Sequence, residues 1–219
     1  MDLFSAVTAR KSIRGYLPDP VSQEIIRKIL EVSLKAPSGN NIQPWEVTVV
    51  TGAVLDNIKR DNVAALLAGT PGVSRSEEYS GIYRQRQVEL AVDIFALMDI
   101  GREDHEKRRE WLLRGFRFFD APAALIITAD KSLQGTWALF DIGALSQTIC
   151  LAATAYGVAT CIEEQGVTFP EVIRKNTGIP ENKEVIIGIA LGYPDPDFPA
   201  NRLNSQRESL EEITTWLGF

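Results

Sequence analysis

The amino-acid sequence predicts an α+β fold in which helices pack around one β-sheet. Segments with a helical spacing of apolar residues are mixed with short β-rich runs, and the two kinds do not alternate regularly as β-α-β units. The 219 residues are 45% hydrophobic and 24% charged, which is ordinary for a globular protein with a full core. This length is compatible with one large domain or two small ones.

Local patterns predict each element in chain order. A short helix is expected over residues 2–9, and Pro18 and Pro20 then break the chain. The next helix, over Ser22–Lys35, has isoleucines and leucines at helical spacing and is ended by Pro37. The later predicted strands are Trp45–Val50, Pro122–Ala129, Val158–Ile162 and Glu184–Leu191, and the later predicted helices are 53–67, Arg84–Asp99, Glu103–Arg117, Thr136–Tyr156 and about 168–176.

Three regions need separate interpretation. The helix over Thr136–Tyr156 is nearly apolar enough to span a membrane, but Asp141 and Gln147 interrupt it, so we expect a core helix buried on nearly all sides. The polar, glycine-containing stretch near residue 69 predicts a lid-like excursion over about 69–87. The C-terminal arm, about 195–219, is expected to be irregular until a capping box at Ser209–Glu212 opens a last helix.

Composition and charge exclude several classes of function. The net charge of −6 argues against a nucleic-acid partner and against binding to anionic membranes, because both need a basic face. The only histidine, His105, lies in a run of charged residues, which excludes a Ser-His-Asp triad. The two cysteines lack the spacing of a metal site. The start of the sequence has no basic stretch followed by an apolar run, so we expect a cytoplasmic protein.

Two blocks near the start have the composition of a phosphate and ring-binding site. Arg10-Lys11-Ser12-Ile13-Arg14 places two cations and a hydroxyl within three residues, which suits the charge and acceptor oxygens of a phosphate. Ala36-Pro37-Ser38-Gly39-Asn40-Asn41-Ile42-Gln43-Pro44-Trp45 offers turn backbone and amide groups with little apolar bulk. Such a loop can bring its main chain against a polar ring.

In this order and separation the two blocks resemble those of the FMN-dependent nitroreductases. Further similarities lie at Thr160–Glu164, at Leu191–Pro194 and at Arg207 ahead of Leu210–Glu212, so the resemblance covers nearly the whole chain. It implies a single nitroreductase-like domain over residues 1–219. Such a domain has a central mixed β-sheet surrounded by helices and an extended C-terminal tail. Two copies of it form an intertwined homodimer.

The resemblance also implies which residues hold the cofactor. Arg10, Ser12 and Arg207 would bind the FMN phosphate with help from Lys11, and Arg202 is a second candidate for the tail cation. Arg14 would place a cation near the pyrimidine edge of the ring and so favour its reduced anionic form. The ring contacts expected from the other subunit of a dimer are Pro37, Ser38, Gly39, Asn41 and Gln43.

A last pair of expected contacts follows the third predicted strand. Where the family has Pro-Ile-Glu-Gly, this chain has Cys161-Ile162-Glu163-Glu164. Glu163 and Glu164 would contact the flavin, with the backbone N–H of Glu164 near N5. The carboxylate that Glu164 adds in place of glycine would disfavour an anionic ring or reshape the pocket. The expected chemistry is carried by the flavin, and no side chain is needed as acid or base.

The function implied is an FMN-dependent oxidoreductase with NADH or NADPH as electron donor. It would reduce small nitroaromatic or quinone-type acceptors by ping-pong transfer of two electrons. The segments Asp99–Asp104 and Phe116–Pro122 resemble the branch that contains nitrobenzoate reductases, and aromatic and basic residues in the lid-like excursion suggest an aromatic carboxylate. The alternatives are a reductive dehalogenase or ene-reductase on the same scaffold, and a non-catalytic flavin-binding module.

Overall fold

The computed structural model describes residues 1–73, 78–133 and 135–219. Helices and strands follow one another irregularly along the chain, as expected for the α+β class. The helices are α1 (Leu3–Ala9), α2 (Gln23–Ser33), α3 (Gly52–Leu67), α4 (Gly81–Leu97), α5 (His105–Phe116), α6 (Thr136–Ala155), α7 (Pro170–Thr177) and α8 (Leu210–Ile213). The strands are β1 (Glu46–Thr51), β2 (Ala123–Asp130), β3 (Ala159–Glu163) and β4 (Lys183–Gly192).

The strands form one sheet in the order β1-β2-β4-β3. Every neighbouring pair is antiparallel, with Glu46 opposite Thr128 between β1 and β2 and Cys161 opposite Ala190 between β3 and β4. In the described residues, the parallel component of the expected mixed sheet is a single bridge, in which Ser12 pairs with Thr160 at the outer side of β3. The α+β class is confirmed.

The central strand β2 explains why helices cover both faces of the sheet. Its apolar run is buried throughout, and alternate residues contribute to different cores. Leu125 and Ile127 belong to the core that α2 and α6 complete, whereas Ala124 and Ile126 belong to the core on the other face, beneath α3 and α7. The extended segment at residues 10–14 lies beyond β3 at one edge of this layered structure.

Helix α6 is a core element, but it is not buried on nearly all sides. By length and composition alone it is apolar enough to cross a membrane, with a mean hydropathy of 1.4, yet half of its most apolar window is buried inside the protein. It packs against α2 and the sheet. Near its start, Trp137 and Phe140 are 71% and 69% exposed. The expectation of burial on nearly all sides is therefore wrong for the first turns of this helix.

The predicted excursion and the C-terminal tail each contain some regular secondary structure. Helix α4 begins at Gly81, so the last residues of the predicted lid-like excursion are helical, and residues 74–77 of that excursion lie outside the described residues. Its beginning is tied down where the N–H of Val73 donates to the carbonyl of Thr168 at 2.8 Å. In the tail the predicted capping box is confirmed, with Ser209 and Glu212 bonding each other's backbone N–H at the start of α8.

Candidate functional site

The block at residues 10–14 forms an extended segment alongside β3. The Ile13 N–H donates to the carbonyl of Thr160 at 3.0 Å, next to the bridge formed by Ser12. Because side chains alternate along extended backbone, Ile13 turns into the protein and is 7% exposed, while Ser12 and Arg14 line an adjacent cavity. Pairing with β3 therefore sets the direction of the two polar side chains.

The cavity beside this segment has a volume of about 690 Å³ and gathers the predicted phosphate ligands. It lies between the extended segment, α1, α4, α6 and the tail. Its lining residues are Val7, Thr8, Ala9, Arg10, Lys11, Ser12, Arg14, Leu90, Gln147, Leu203, Asn204, Ser205 and Arg207. Four of these are arginine or lysine, and none of the described lining residues carries a carboxylate. The cavity therefore favours an anion.

The two tail arginines occupy different places. Arg207 lines the cavity just described, where its Nη1 donates to the Ser205 hydroxyl at 2.8 Å and to the Gln206 carbonyl at 2.8 Å. Arg202 instead lines a smaller cavity of about 330 Å³. That second cavity shares Ala9, Arg10 and Lys11 with the first, but Ser12, Arg14 and Arg207 do not line it. Both candidates therefore lie near the first block, but only Arg207 shares a cavity with Ser12 and Arg14.

A buried asparagine that the sequence reasoning missed fastens the tail to the first block. Asn201 is 8% exposed, and its Oδ1 accepts from the N–H of Arg14 at 2.8 Å and of Gly15 at 3.1 Å. Its Nδ2 donates to the carbonyls of Gly15 and Asp195. A Cβ at Gly15 would lie 2.1 Å from the Phe198 ring, so this close approach requires glycine. Hydrogen bonds and close packing therefore hold this part of the tail against the first block.

The second block forms a tight turn away from this cavity. Asn40, Asn41 and Gln43 have φ angles of 49°, 58° and 46°, a left-handed conformation that asparagine tolerates best among residues with a side chain. The Ser38 hydroxyl accepts from the N–H of Gln43 at 3.0 Å. The N–H of Gly39 donates to both carboxylate oxygens of Asp141, at 3.2 and 3.1 Å. Asp141 thereby anchors the turn to α6.

Within one chain, the second block is not part of the cationic cavity. Pro37, Gly39, Asn41 and Gln43 are exposed and Ser38 is half-buried, and the described lining of the cavity includes none of them. The structure therefore brings together the first block and Arg207 but leaves the second block on a separate exposed surface. A contribution of this block to the site of another subunit stays a prediction.

Glu163 and Glu164 end β3 in different environments. Glu163 is 8% exposed, and its Oε2 accepts from the N–H of Gly166 at 2.7 Å, whereas Oε1 has no partner among the described residues. Burial raises the pKa of Glu163 to about 8. Its side chain is thus committed to the protein interior, which leaves only its backbone for a ligand. Glu164 is half-buried and begins the short turn Gln165–Val167, and its predicted N–H contact stays a prediction.

Comparison with known proteins supports the resemblance drawn from the motifs. The model of the Nitroreductase family matches residues 7–193. The chain is 31% identical to a 4-nitrobenzoate reductase from Pseudomonas putida, covering 100% of this chain and 96% of the relative. It is 34% identical to a nitrobenzene nitroreductase from Ectopseudomonas oleovorans, covering 95% and 93%.

A solved structure agrees over the whole fold. The FMN- and NADPH-dependent nitroreductase NfnB from Sphigopyxis sp. strain HMH superposes with a TM-score of 0.93 at 27% identity, covering 100% of both chains. The family match extends from α1 to the residue after β4 and includes both N-terminal blocks. On sequence and fold, the chain belongs to the nitroreductase family.

Proposed function

We propose that this chain is an FMN-dependent NAD(P)H oxidoreductase that reduces nitroaromatic or quinone-type acceptors. The observation that carries the proposal is the cavity of about 690 Å³ in which four cationic side chains and the Ser12 hydroxyl are gathered without a carboxylate among its described lining residues. Relatives that cover nearly the whole chain are named as reductases of nitrobenzoate and nitrobenzene.

The donor set of this cavity fits the phosphate end of FMN. A phosphomonoester carries about −1.5 to −2 charges and three strong acceptor oxygens. Arg10 and Arg207 would supply guanidinium donors and Ser12 a hydroxyl, with Lys11 adding a further charge. Because a charge-assisted hydrogen bond contributes about 1.5–3 kcal/mol, three of them account for tight non-covalent retention.

The residues of the chain bind and tune the cofactor rather than react. When bound, FMN would supply the redox chemistry, which is two-electron transfer from NADH or NADPH to the acceptor by a ping-pong mechanism. Arg14 would hold a positive charge at the ring and favour the additional negative charge of the reduced form. The backbone at Glu163 and Glu164 would also contact the ring. Solvent supplies the protons.

The acceptor that we propose is a small nitroaromatic compound, with an aromatic carboxylate as the finer expectation. Two tyrosines of the excursion, Tyr79 and Tyr83, are 47% and 63% exposed and offer aromatic contact surface. Arg84, one turn into α4, is an exposed cation nearby. A panel of 4-nitrobenzoate, nitrobenzene and a quinone tests this expectation. A preference of kcat/KM for the carboxylate supports it, and equal values for the two nitro compounds reject it.

We further propose a cytoplasmic homodimer in which each site is completed by the second block of the other subunit. Large apolar side chains at α1 and at the start of α6 are exposed in the single chain, including Phe4 at 83% and Trp137 at 71%. In the tail, Trp216 and Phe219 are 61% and 101% exposed, and their rings contact each other edge to face. Large apolar side chains exposed in this number support a face that another subunit covers.

Two measurements test the proposal. The purified protein is expected to carry the yellow absorbance of FMN, to bleach anaerobically when NADH or NADPH is added, and to regain colour with a nitroaromatic acceptor. A protein that binds FMN and never bleaches would be a flavin-binding module, and a colourless protein that rejects FMN would defeat the proposal. Light scattering at several concentrations gives the mass, for which we expect twice that of one chain.

A further inference from the structure

The main chain of Arg14 is held from both sides by residues far away in the sequence. Its N–H donates to Asn201 Oδ1 at 2.8 Å, and its carbonyl accepts from Arg114 Nη2 at 3.2 Å. Arg114 belongs to α5, and only 20% of its side chain is exposed. A largely buried guanidinium that bonds a main-chain carbonyl fixes the position of that peptide group. The segment that carries Arg14 is therefore fastened to α5 as well as to the tail.

The same guanidinium holds a strained turn. Phe118, Phe119 and Asp120 have φ angles of 54°, 51° and 60°, three consecutive left-handed residues none of which is glycine. Each such residue costs about 1–3 kcal/mol and persists only where the surroundings determine it. Here Arg114 Nη2 donates to the Phe119 carbonyl at 3.2 Å, and Arg114 Nη1 forms an ion pair with Asp120 at 2.9 Å.

The strained turn places an aromatic ring beneath the side chain of Arg14. The Arg14 guanidinium carbon lies 5.9 Å from the centre of the Phe119 ring, within the range of a cation–π contact. The Phe119 ring is supported from behind by Trp111, with the ring centres 6.1 Å apart. Arg14 Nη1 also lies 3.5 Å from the Ser12 carbonyl. Arg114 therefore fixes both the backbone of Arg14 and the ring on which its side chain rests.

We propose that Arg114 is a positioning residue that sets the orientation of the Arg14 guanidinium and thereby the reduction potential of the bound flavin. Arg114 is not among the described residues that line the cationic cavity. The inference rests on the proposed function, since it takes Arg14 as the cation at the flavin ring. It adds that the potential is controlled from α5 through a strained turn, a role that neither motif near the start of the chain indicates.

The substitution Arg114→Met tests the role, with Arg117→Met as a matched control. Arg117 lies three residues further along the chain, its side chain is 23% exposed, and it also forms an ion pair with Asp120, at 2.7 Å. It has no hydrogen bond to Arg14 or to the Phe119 carbonyl. Either variant leaves Asp120 with one arginine partner. Arg117→Met also removes the ion pair with Glu110, whose side chain is 55% exposed and can be solvated. Circular dichroism and FMN content check that both variants fold.

The readout is the midpoint potential of the FMN holoprotein, titrated anaerobically against a dye of known potential. Arg114→Met is expected to shift the ratio of reduced to oxidised flavin about tenfold toward the oxidised form, which is ~30 mV for two electrons. Arg117→Met is expected to stay within about twofold of the wild type. Arg114→Lys keeps the charge but lacks the planar fork, so most of the shift should persist. An unchanged potential in both Arg114 variants would overturn the proposal.

A double-mutant cycle separates positioning from a direct effect of the Arg114 charge. In the Arg14→Ala background, Arg114→Met should have no further effect on the potential, because the residue through which it acts is gone. A shift of undiminished size in that background would reject positioning. Failure of the proposed function looks different: the wild-type protein would bind no FMN, or its bound FMN would not bleach with NADH or NADPH.

Discussion

Arg202 and Arg207 are five positions apart in the tail, yet they line different cavities. The turn Pro199–Arg202, held through Asn201, directs Arg202 toward the side of the first block on which Pro194 and Gly157 lie. The chain then continues along the other side, where Arg207 joins Ser12 and Arg14. A pair of arginines that looks equivalent in the sequence is therefore separated by the path of the backbone.

Arg207→Ala is expected to weaken FMN binding more than Arg202→Ala does. Loss of one charge-assisted contact to the phosphate should raise the dissociation constant about 10- to 100-fold, whereas Arg202→Ala should change it by less than about threefold. Quenching of flavin fluorescence during titration of the apoprotein measures both constants. Equal losses, or a larger loss for Arg202→Ala, would show that the tail cation has been assigned to the wrong arginine.

Arg14→Ala should make the bound flavin harder to reduce. Removing a cation near the ring withdraws its Coulomb attraction for the negative charge gained on reduction, so the midpoint potential should fall. We expect a change of about tenfold or more in the reduction equilibrium, or ~30 mV for each factor of ten. Lys11→Ala is the control, because it removes one charge from the lining of the same cavity. An unchanged or raised potential in Arg14→Ala would contradict the tuning role.

The elements of the fold could be predicted because each depends on local patterns. The apolar run of β2, the helical spacing in α2 and the capping box at Ser209 are determined within a few residues, and the structure confirms all three. The order of strands in the sheet depends on contacts between distant segments. The pattern of residues within one strand does not say which strand lies beside it or in which direction. Both the order of the strands and their antiparallel pairing are therefore known only from the structure.

The site was predictable only in part for the same reason. Residues close together in the sequence, such as Arg10 and Ser12, can be recognised as phosphate ligands from the composition of one short segment. Asn201 instead acts through hydrogen bonds to Arg14 and Gly15, more than 180 positions away. In the strained turn at Phe118–Asp120, aspartate tolerates left-handed backbone, but nothing in the sequence signals that conformation at the two phenylalanines. Glu163 matched a family position, yet only the tertiary structure shows its side chain buried against Gly166.

Asp141→Ala should destabilise the turn that carries the second block. The substitution leaves the Gly39 N–H without its two acceptor oxygens, and we expect a loss of about 1–3 kcal/mol in the free energy of unfolding. Asp141→Asn keeps one acceptor oxygen and should lose less. Urea unfolding of the apoproteins compares the three, and FMN titration shows whether the turn also supports binding. Wild-type stability in Asp141→Ala would contradict the anchoring role.

Glu163 should make the protein less stable as the pH rises from about 5 to 8. Burial raises the pKa of Glu163 from 4.5 to about 8, so across this window the folded state holds a proton that the unfolded state has released. The free energy of unfolding therefore falls as the pH rises, by at most ~1.4 kcal/mol per pH unit from this group, and levels off above the folded-state pKa. Glu163 therefore contributes most to stability at acidic pH. An ion-paired carboxylate behaves in the opposite way and contributes most above its pKa.

Glu163→Gln isolates this effect, because the amide is neutral at every pH and its carbonyl can still accept from the Gly166 N–H. At pH 5 the variant and the wild type should be about equally stable. At pH 8 the variant should be more stable by ~2 kcal/mol or more, since it avoids ionising a buried carboxyl. Urea unfolding at four pH values between 5 and 8 gives the difference, in which the other titrating groups cancel. If the free energies of unfolding of the two proteins change with pH in the same way, Glu163 is already ionised in the folded state. In that case water or a cation reaches its Oε1 atom, which has no partner among the described residues.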